Sequence, residues 1–132
     1  LKEIGHKRLM IRISPSRFLD GIYNWENMDE MLDYLIPNLD RLGLRQLDIS
    51  CANANYFETS GLVIKKIRPK WPHFLIGGAS LTHQQAIKEV EEGRLDMITW
   101  ARNILANPDF IYKLKNDLPL IEMTNEMRNT LF

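Results

Sequence analysis

Four short apolar runs, Leu9 to Ser14, Gln46 to Ser50, Phe74 to Gly77 and Met97 to Arg102, each end in a polar or glycine-containing turn. Each then leads into a stretch with helical spacing. This alternation constrains the fold more than any other feature of the sequence. Strands that alternate with helices in units of about 30 residues run parallel, because each helix carries the chain back to the end where the next strand starts. The crossovers are right-handed. A chain of 132 residues is long enough for one domain with a useful core and too short for two. The expected class is therefore α/β with a parallel sheet.

The helical stretches carry their own punctuation. Met31, Leu35, Leu39 and Leu42 recur at helical spacing from about Glu26, Gly43 supplies a stop, and Pro37 is expected to kink or split that helix. A shorter helix is expected from Thr59 or Ser60 to Arg68, ended by Pro69. Thr82 and Gln85 spell a capping box, Leu81 and Ala86 occupy the staple positions, and Gly93 closes the helix. Asn107-Pro108-Asp109 reads as the start of a fourth helix, with Asn107 as its cap. A last short helix is expected after Thr124.

Charge narrows the function classes. Lys plus Arg and Asp plus Glu are 17 each, so no overall field draws the chain to nucleic acid or to an anionic membrane. An anion bound here needs a local site. No apolar run approaches the roughly 20 residues of a membrane span. Cys51 is the only cysteine, which excludes an internal disulfide, and no cysteine-histidine cluster has zinc spacing, so no metal site is expected. A reducing, cytoplasmic setting is the expectation. The chain opens on Leu1 rather than methionine, and it is read as a piece of something longer.

In parallel α/β sheets, ligands gather at the carboxyl ends of the strands. Arg12 lies there, a guanidinium inside an apolar run. It either meets a carboxylate or backbone carbonyls, or serves a ligand. Gly77-Gly78-Ala79-Ser80 ends the third run: it is either a tight turn or a backbone cradle whose N–H groups hold a phosphate. Trp100-Ala101-Arg102-Asn103 ends the fourth, and Arg102 is either a surface residue at a strand end or a source of charge for such a cradle. Gln46, Asp48 and Ser50 share one face of the second strand and are read as structural polarity inside a barrel. His6, His73 and His83 are scattered, and Cys51 is read as a small buried thiol. Glu89, Glu91 and Glu92 are read as a solvated helix face, and Trp71 and Trp100 as packing residues. The segments 15–25 and 52–57 are the expected walls of a substrate pocket, on position alone.

Taken together, these residues resemble the C-terminal half of the old yellow enzyme family of FMN-dependent ene-reductases and NADH:flavin oxidoreductases. The resemblance is strongest in "FLIGGASLTHQQAIKEVEEGRLDMITWARNILANPDF", residues 74–110, and weaker at "IRISP". It implies the last four β/α units, strands five to eight, of a (β/α)8 TIM barrel, with residues 1–132 as a single C-terminal half-barrel fragment. It also implies that Arg12 faces the pyrimidine edge of the flavin, where a cation favours the reduced form. By the same resemblance Gly77, Gly78 and Ala79 hold the FMN phosphate through their backbone, with Ala101 and Arg102 beside it. Ala101 stands where the family usually has glycine, which keeps the N–H and adds a methyl group. The implied activity is hydride transfer from NADH or NADPH through FMN to activated alkenes such as α,β-unsaturated carbonyls.

The family's substrate-activating pair and proton-donating tyrosine lie on or near the fourth barrel strand, so no catalytic residue is expected in this chain. The implied partners are a small-molecule substrate and either an N-terminal half barrel or a second copy of the chain. Two alternatives stand beside this reading. One is another FMN barrel such as a tRNA-dihydrouridine synthase, and the other is a non-catalytic phosphate-binding or assembly module.

Overall fold

Four parallel strands in the order β1-β4-β5-β6 form the central sheet of the computed structural model: β1 (Ile11–Ile13), β4 (Gln46–Ile49), β5 (Phe74–Gly78) and β6 (Met97–Thr99). The structure describes residues 3–5, 8–18, 20–51 and 54–129, the last two of them by backbone alone. The chain divides into two compact units, Leu1–Thr99 and Trp100–Phe132. The first unit holds the sheet together with α1 (Met28–Arg41), α2 (Ser60–Ile67) and α3 (His83–Glu91). It also holds an antiparallel hairpin that the sequence reading treats as a loop, β2 (Ser16–Phe18) and β3 (Ile22–Asn24). The second unit contains α4 (Arg102–Ala106), α5 (Phe110–Lys115) and α6 (Asn125–Asn129).

Successive residues of a strand point to opposite faces, and the register then sorts the sheet. Leu47 pairs with Ile11 and Leu75, and Ile49 with Ile13 and Gly77, which puts these residues on one face. That face is packed: Leu47, Ile49 and Leu75 are buried, as are Leu32 and Ile36 of α1 and Val63, Ile64 and Ile67 of α2. Gly77 is small for this reason. A Cβ there would lie 2.7 Å from Ile64 Cδ1 and 2.9 Å from Leu95 Cδ2, too close for either. The opposite face carries Arg12, Asp48, Ile76 and Met97 in one row, since Asp48 pairs with Arg12 and Ile76, and Ile76 with Met97. Phe74 and Met97 on this face remain exposed.

Helix boundaries follow the local chemistry, with two departures from expectation, at Arg102 and Asn107. Thr82 accepts from the Gln85 backbone N–H and the Gln85 side chain accepts from Thr82, so the capping box forms in full. Leu81 and Ala86 are both buried, and Gly93 takes a positive φ of 69° at the end of α3. Thr124 caps α6 through a bond from the Met127 N–H. Of the two outcomes expected at Pro37, a split does not occur, since α1 runs continuously through it. It sits on the exposed side, where water can replace the N–H that the Asp33 carbonyl lacks.

The fourth run is strand only to Thr99, and Arg102 begins α4 instead of ending a strand. Asn107 does not cap the helix that follows it. Its Oδ1 accepts from the Ile121 N–H and from Lys113, and its Nδ2 donates to the Asn103 and Ile121 carbonyls. A buried side-chain amide that fills its bonding capacity this way fastens the segment at 121 to α4 and α5.

Candidate functional site

At the carboxyl end of β1, Arg12 Nε donates to Asp48 Oδ2 of β4 at 2.7 Å. The two residues are register partners, so the pairing of the strands sets the pairing of the charges. Their burial is unequal: the Asp48 side chain is 1% exposed and that of Arg12 60%. A buried carboxylate costs free energy unless it is bonded, and here Oδ1 has no hydrogen-bond partner among the described residues. The Arg12 Nη groups likewise bond to no described residue. The guanidinium is therefore held by one nitrogen, with its fork left open on the exposed face. Such an arrangement suits an acceptor-rich or anionic group, which a guanidinium meets with two parallel N–H bonds. Asp48, expected to be structural polarity, is thus the anchor of Arg12.

Gly77 and Gly78 lie inside β5 rather than in the turn after it. At Gly78 a Cβ would stand 2.2 Å from the Thr99 carbonyl oxygen of β6, so only glycine fits against that strand. Ser60 Oγ donates to the Gly78 carbonyl at 2.8 Å, and Ser80 Oγ to the Ala54 carbonyl at 2.9 Å. Ala79 is partly exposed between these two ties. In the second unit Ala101 and Arg102 are exposed, and Arg102 has no ion-pair partner among the described residues. Trp100 packs on Phe110 with ring centroids 5.3 Å apart, as expected of a packing residue. Trp71 is buried and donates to the Phe74 carbonyl.

Behind the sheet lies a polar cluster that the sequence reading misplaces. Glu89, expected on a solvated face, is 2% exposed. Its Oε2 accepts from the Tyr56 hydroxyl at 2.6 Å and from Arg94 Nε at 2.7 Å, and its Oε1 accepts from Arg94 Nη2 at 2.8 Å. Burial alone would raise the Glu89 carboxyl, but the bonds from Arg94 and Tyr56 outweigh it and hold the group below its ordinary range. Burial pushes the Tyr56 hydroxyl far up, and the Glu89 charge adds to this. The signal was available: Glu89 stands three residues after buried Ala86, on the same side of the helix.

The remaining candidates take structural roles. Cys51 is buried and free of a disulfide. His73 Nε2 lies 2.7 Å from Asp40 Oδ1, and that bond holds the Asp40 carboxyl below its usual range. His83 is exposed in the first turn of α3, and His6 lies outside the described residues. Of the two expected walls, 15–25 forms the hairpin, where Arg17 stacks 4.8 Å over the Tyr23 ring. In the other, Ala52 and Asn53 lie outside the described residues, and Asn55 caps a single 3-10 turn at Tyr56–Glu58.

Comparison with known proteins gives the family and the fold. The profile of the NADH:flavin oxidoreductase / NADH oxidase family matches residues 1–120. The chain is 26% identical to 12-oxophytodienoate reductase 2 of Arabidopsis thaliana over 123 residues, covering 90% of this chain and 32% of that protein. Its fold is similar to the old yellow enzyme from Trypanosoma cruzi, with a TM-score of 0.76 and 21% identity over 96% of this chain and 33% of the other. It is also similar to morphinone reductase in complex with tetrahydroNAD, with a TM-score of 0.71 and 22% identity over 93% and 32% of the two chains. The chain thus spans about a third of the length of the proteins it matches. Its sheet and helices are the last four β/α units of a (β/α)8 barrel. No described helix is long and apolar enough to cross a membrane.

Proposed function

From the premise that this chain belongs to the NADH:flavin oxidoreductase / NADH oxidase family, we propose that it is part of an enzyme that reduces activated alkenes such as α,β-unsaturated carbonyls. FMN is the family's cofactor and NADH or NADPH its reductant. When bound, FMN supplies the group that accepts and donates hydride. This chain's residues bind and tune it. Arg12 presents its open fork to the pyrimidine edge, where negative charge builds on reduction. Ala79, which follows the buried and paired Gly77 and Gly78 of β5, receives the phosphate through its backbone N–H, and Arg102, with Ala101 before it, supplies the cation. The role of Arg102 rests on its spacing from Asn107-Pro108-Asp109.

One observation carries the reading: Arg12 is tied through Nε alone to a buried carboxylate, with its remaining nitrogens exposed and unbonded among the described residues. A guanidinium held at Nε keeps its two Nη groups for a second acceptor, which suits a ligand that carries negative charge. The substrate-activating and proton-donating groups come from outside this chain. The sheet face around Arg12, with Phe74 and Met97 exposed, is completed by an N-terminal half barrel or by a second copy. The family match favours this reading over the tRNA-dihydrouridine synthase and the non-catalytic module. The buried thiol of Cys51 supports a reducing compartment, and the cytoplasm is the proposed location.

Titration with FMN, followed by flavin fluorescence, tests the reading. Saturable quenching that disappears in Arg102→Ala is the expected result. Quenching unaffected by that change would remove Arg102 from the phosphate site. Light scattering tests the closure of the sheet, and a monodisperse monomer of the chain would count against pairing with a second copy.

A further inference from the structure

Two hydroxyls at the start of α2 do not do what hydroxyls at a helix start usually do. Serine and threonine there commonly accept a bond from a free backbone N–H. Thr59 instead donates through Oγ1 to the Asn55 carbonyl at 2.7 Å, and no side-chain cap bond forms. Ser60, 1% exposed, donates to the Gly78 carbonyl through a buried 2.8 Å bond. This bond joins α2 to the last residue of β5, 18 positions along the chain.

The consequence lies in the peptide unit itself. A trans peptide is planar, with its carbonyl and N–H on opposite sides, and no cis peptide bond occurs among the described residues. Drawing the Gly78 carbonyl toward Ser60 therefore turns the Ala79 N–H away from it. The unit cannot easily rotate back. Gly78 lies flush against Thr99 of β6, and Ser80 on the far side is tied to the Ala54 carbonyl. A donor fixed before the ligand arrives avoids the ordering cost of binding.

We propose that Ser60 is a positioning residue for phosphate recognition: it presets the Gly78–Ala79 peptide so that the Ala79 N–H faces a phosphate-bearing ligand, here the phosphate of FMN. This inference rests on the reading of the chain as an FMN protein. It touches the phosphate and not the isoalloxazine, so two flavins that differ in the phosphate separate it from a general effect on the fold.

The full chain, as wild type and as Ser60→Ala, is titrated with FMN and with riboflavin, which lacks the phosphate, and melting is recorded for each variant. The expected result is about a tenfold loss of FMN affinity in Ser60→Ala, the size of one hydrogen bond, with riboflavin affinity unchanged. Equal loss for both flavins, or no loss for FMN, overturns the role of Ser60. Should Ser60→Ala unfold, Ser60→Cys keeps the size and weakens the donor, and the same contrast between the flavins decides. A wild type that fails to prefer FMN over riboflavin overturns the phosphate reading itself. A preference abolished by Arg102→Ala but untouched by either Ser60 variant leaves that reading standing and removes this one.

Discussion

Two carboxylates are buried to almost the same degree and bonded in opposite ways. Glu89, behind the sheet, is 2% exposed and accepts three bonds from Tyr56 and Arg94. Asp48, on the open face, is 1% exposed, accepts one bond from Arg12 and leaves Oδ1 unbonded among the described residues. A fully satisfied buried cluster fixes structure. An under-bonded carboxylate beside an exposed cation marks a place where bonding capacity is held for something else. The difference teaches which of two buried charges to suspect of function, and burial alone would not have separated them.

Removing Glu89 gives the largest expected effect. Glu89→Ala strands the buried Tyr56 hydroxyl and leaves Arg94 with Glu92 as its only carboxylate partner among the described residues, and should cost about 3 kcal/mol in urea unfolding. Arg12→Ala should cost less, about 1 kcal/mol, because its exposed side chain leaves room for water to reach Asp48. A double-mutant cycle with Asp48→Asn measures the coupling directly. Equal losses at the two sites would erase the distinction drawn between them.

Acid gives the smallest effect and sharpens the comparison. Glu89 is held below its ordinary value of 4.5 in the folded chain. Its contribution is therefore fully present above that pH and is lost as pH falls through the lowered value. Asp40, lowered chiefly by its hydrogen bond from His73, acts in the same direction. Melting temperature should drop below about pH 4.5 in the wild type, and Glu89→Gln should flatten part of the drop. An unaltered slope in that variant would mean that folding does not lower the Glu89 pKa.

Much of this was legible in the residues. Strand positions, parallel order and the capping box at Thr82 follow from apolar periodicity and local hydrogen-bonding rules, which act over a few residues. The hairpin was legible too: Asp20-Gly21 between Phe18 and Ile22 is a turn signal flanked by apolar residues. The anchor of Arg12 was not legible, because Asp48 lies 36 residues away and only strand register brings it opposite. The same holds for the partnership of Glu89 with Tyr56, 33 residues distant, although the burial of Glu89 could be read from its place beside Ala86. Asn107 misled for a different reason. Its local context suits a cap, and a tertiary bond to the 121 segment won the competition for its amide.

The strand order carries a kinetic consequence. In β1-β4-β5-β6, every strand of the sheet after the first pairs with the sheet strand that precedes it in the chain. A ribosome delivers the polypeptide from the amino end, and domains form in that direction. Each emerging strand thus finds its template already standing, and no strand must wait for a later one to fill a gap beside it. Loop closure is confined to a single crossover at each step, and its entropic cost grows only slowly with the length of that crossover. The sheet is arranged to grow at one edge, in the order in which it is made.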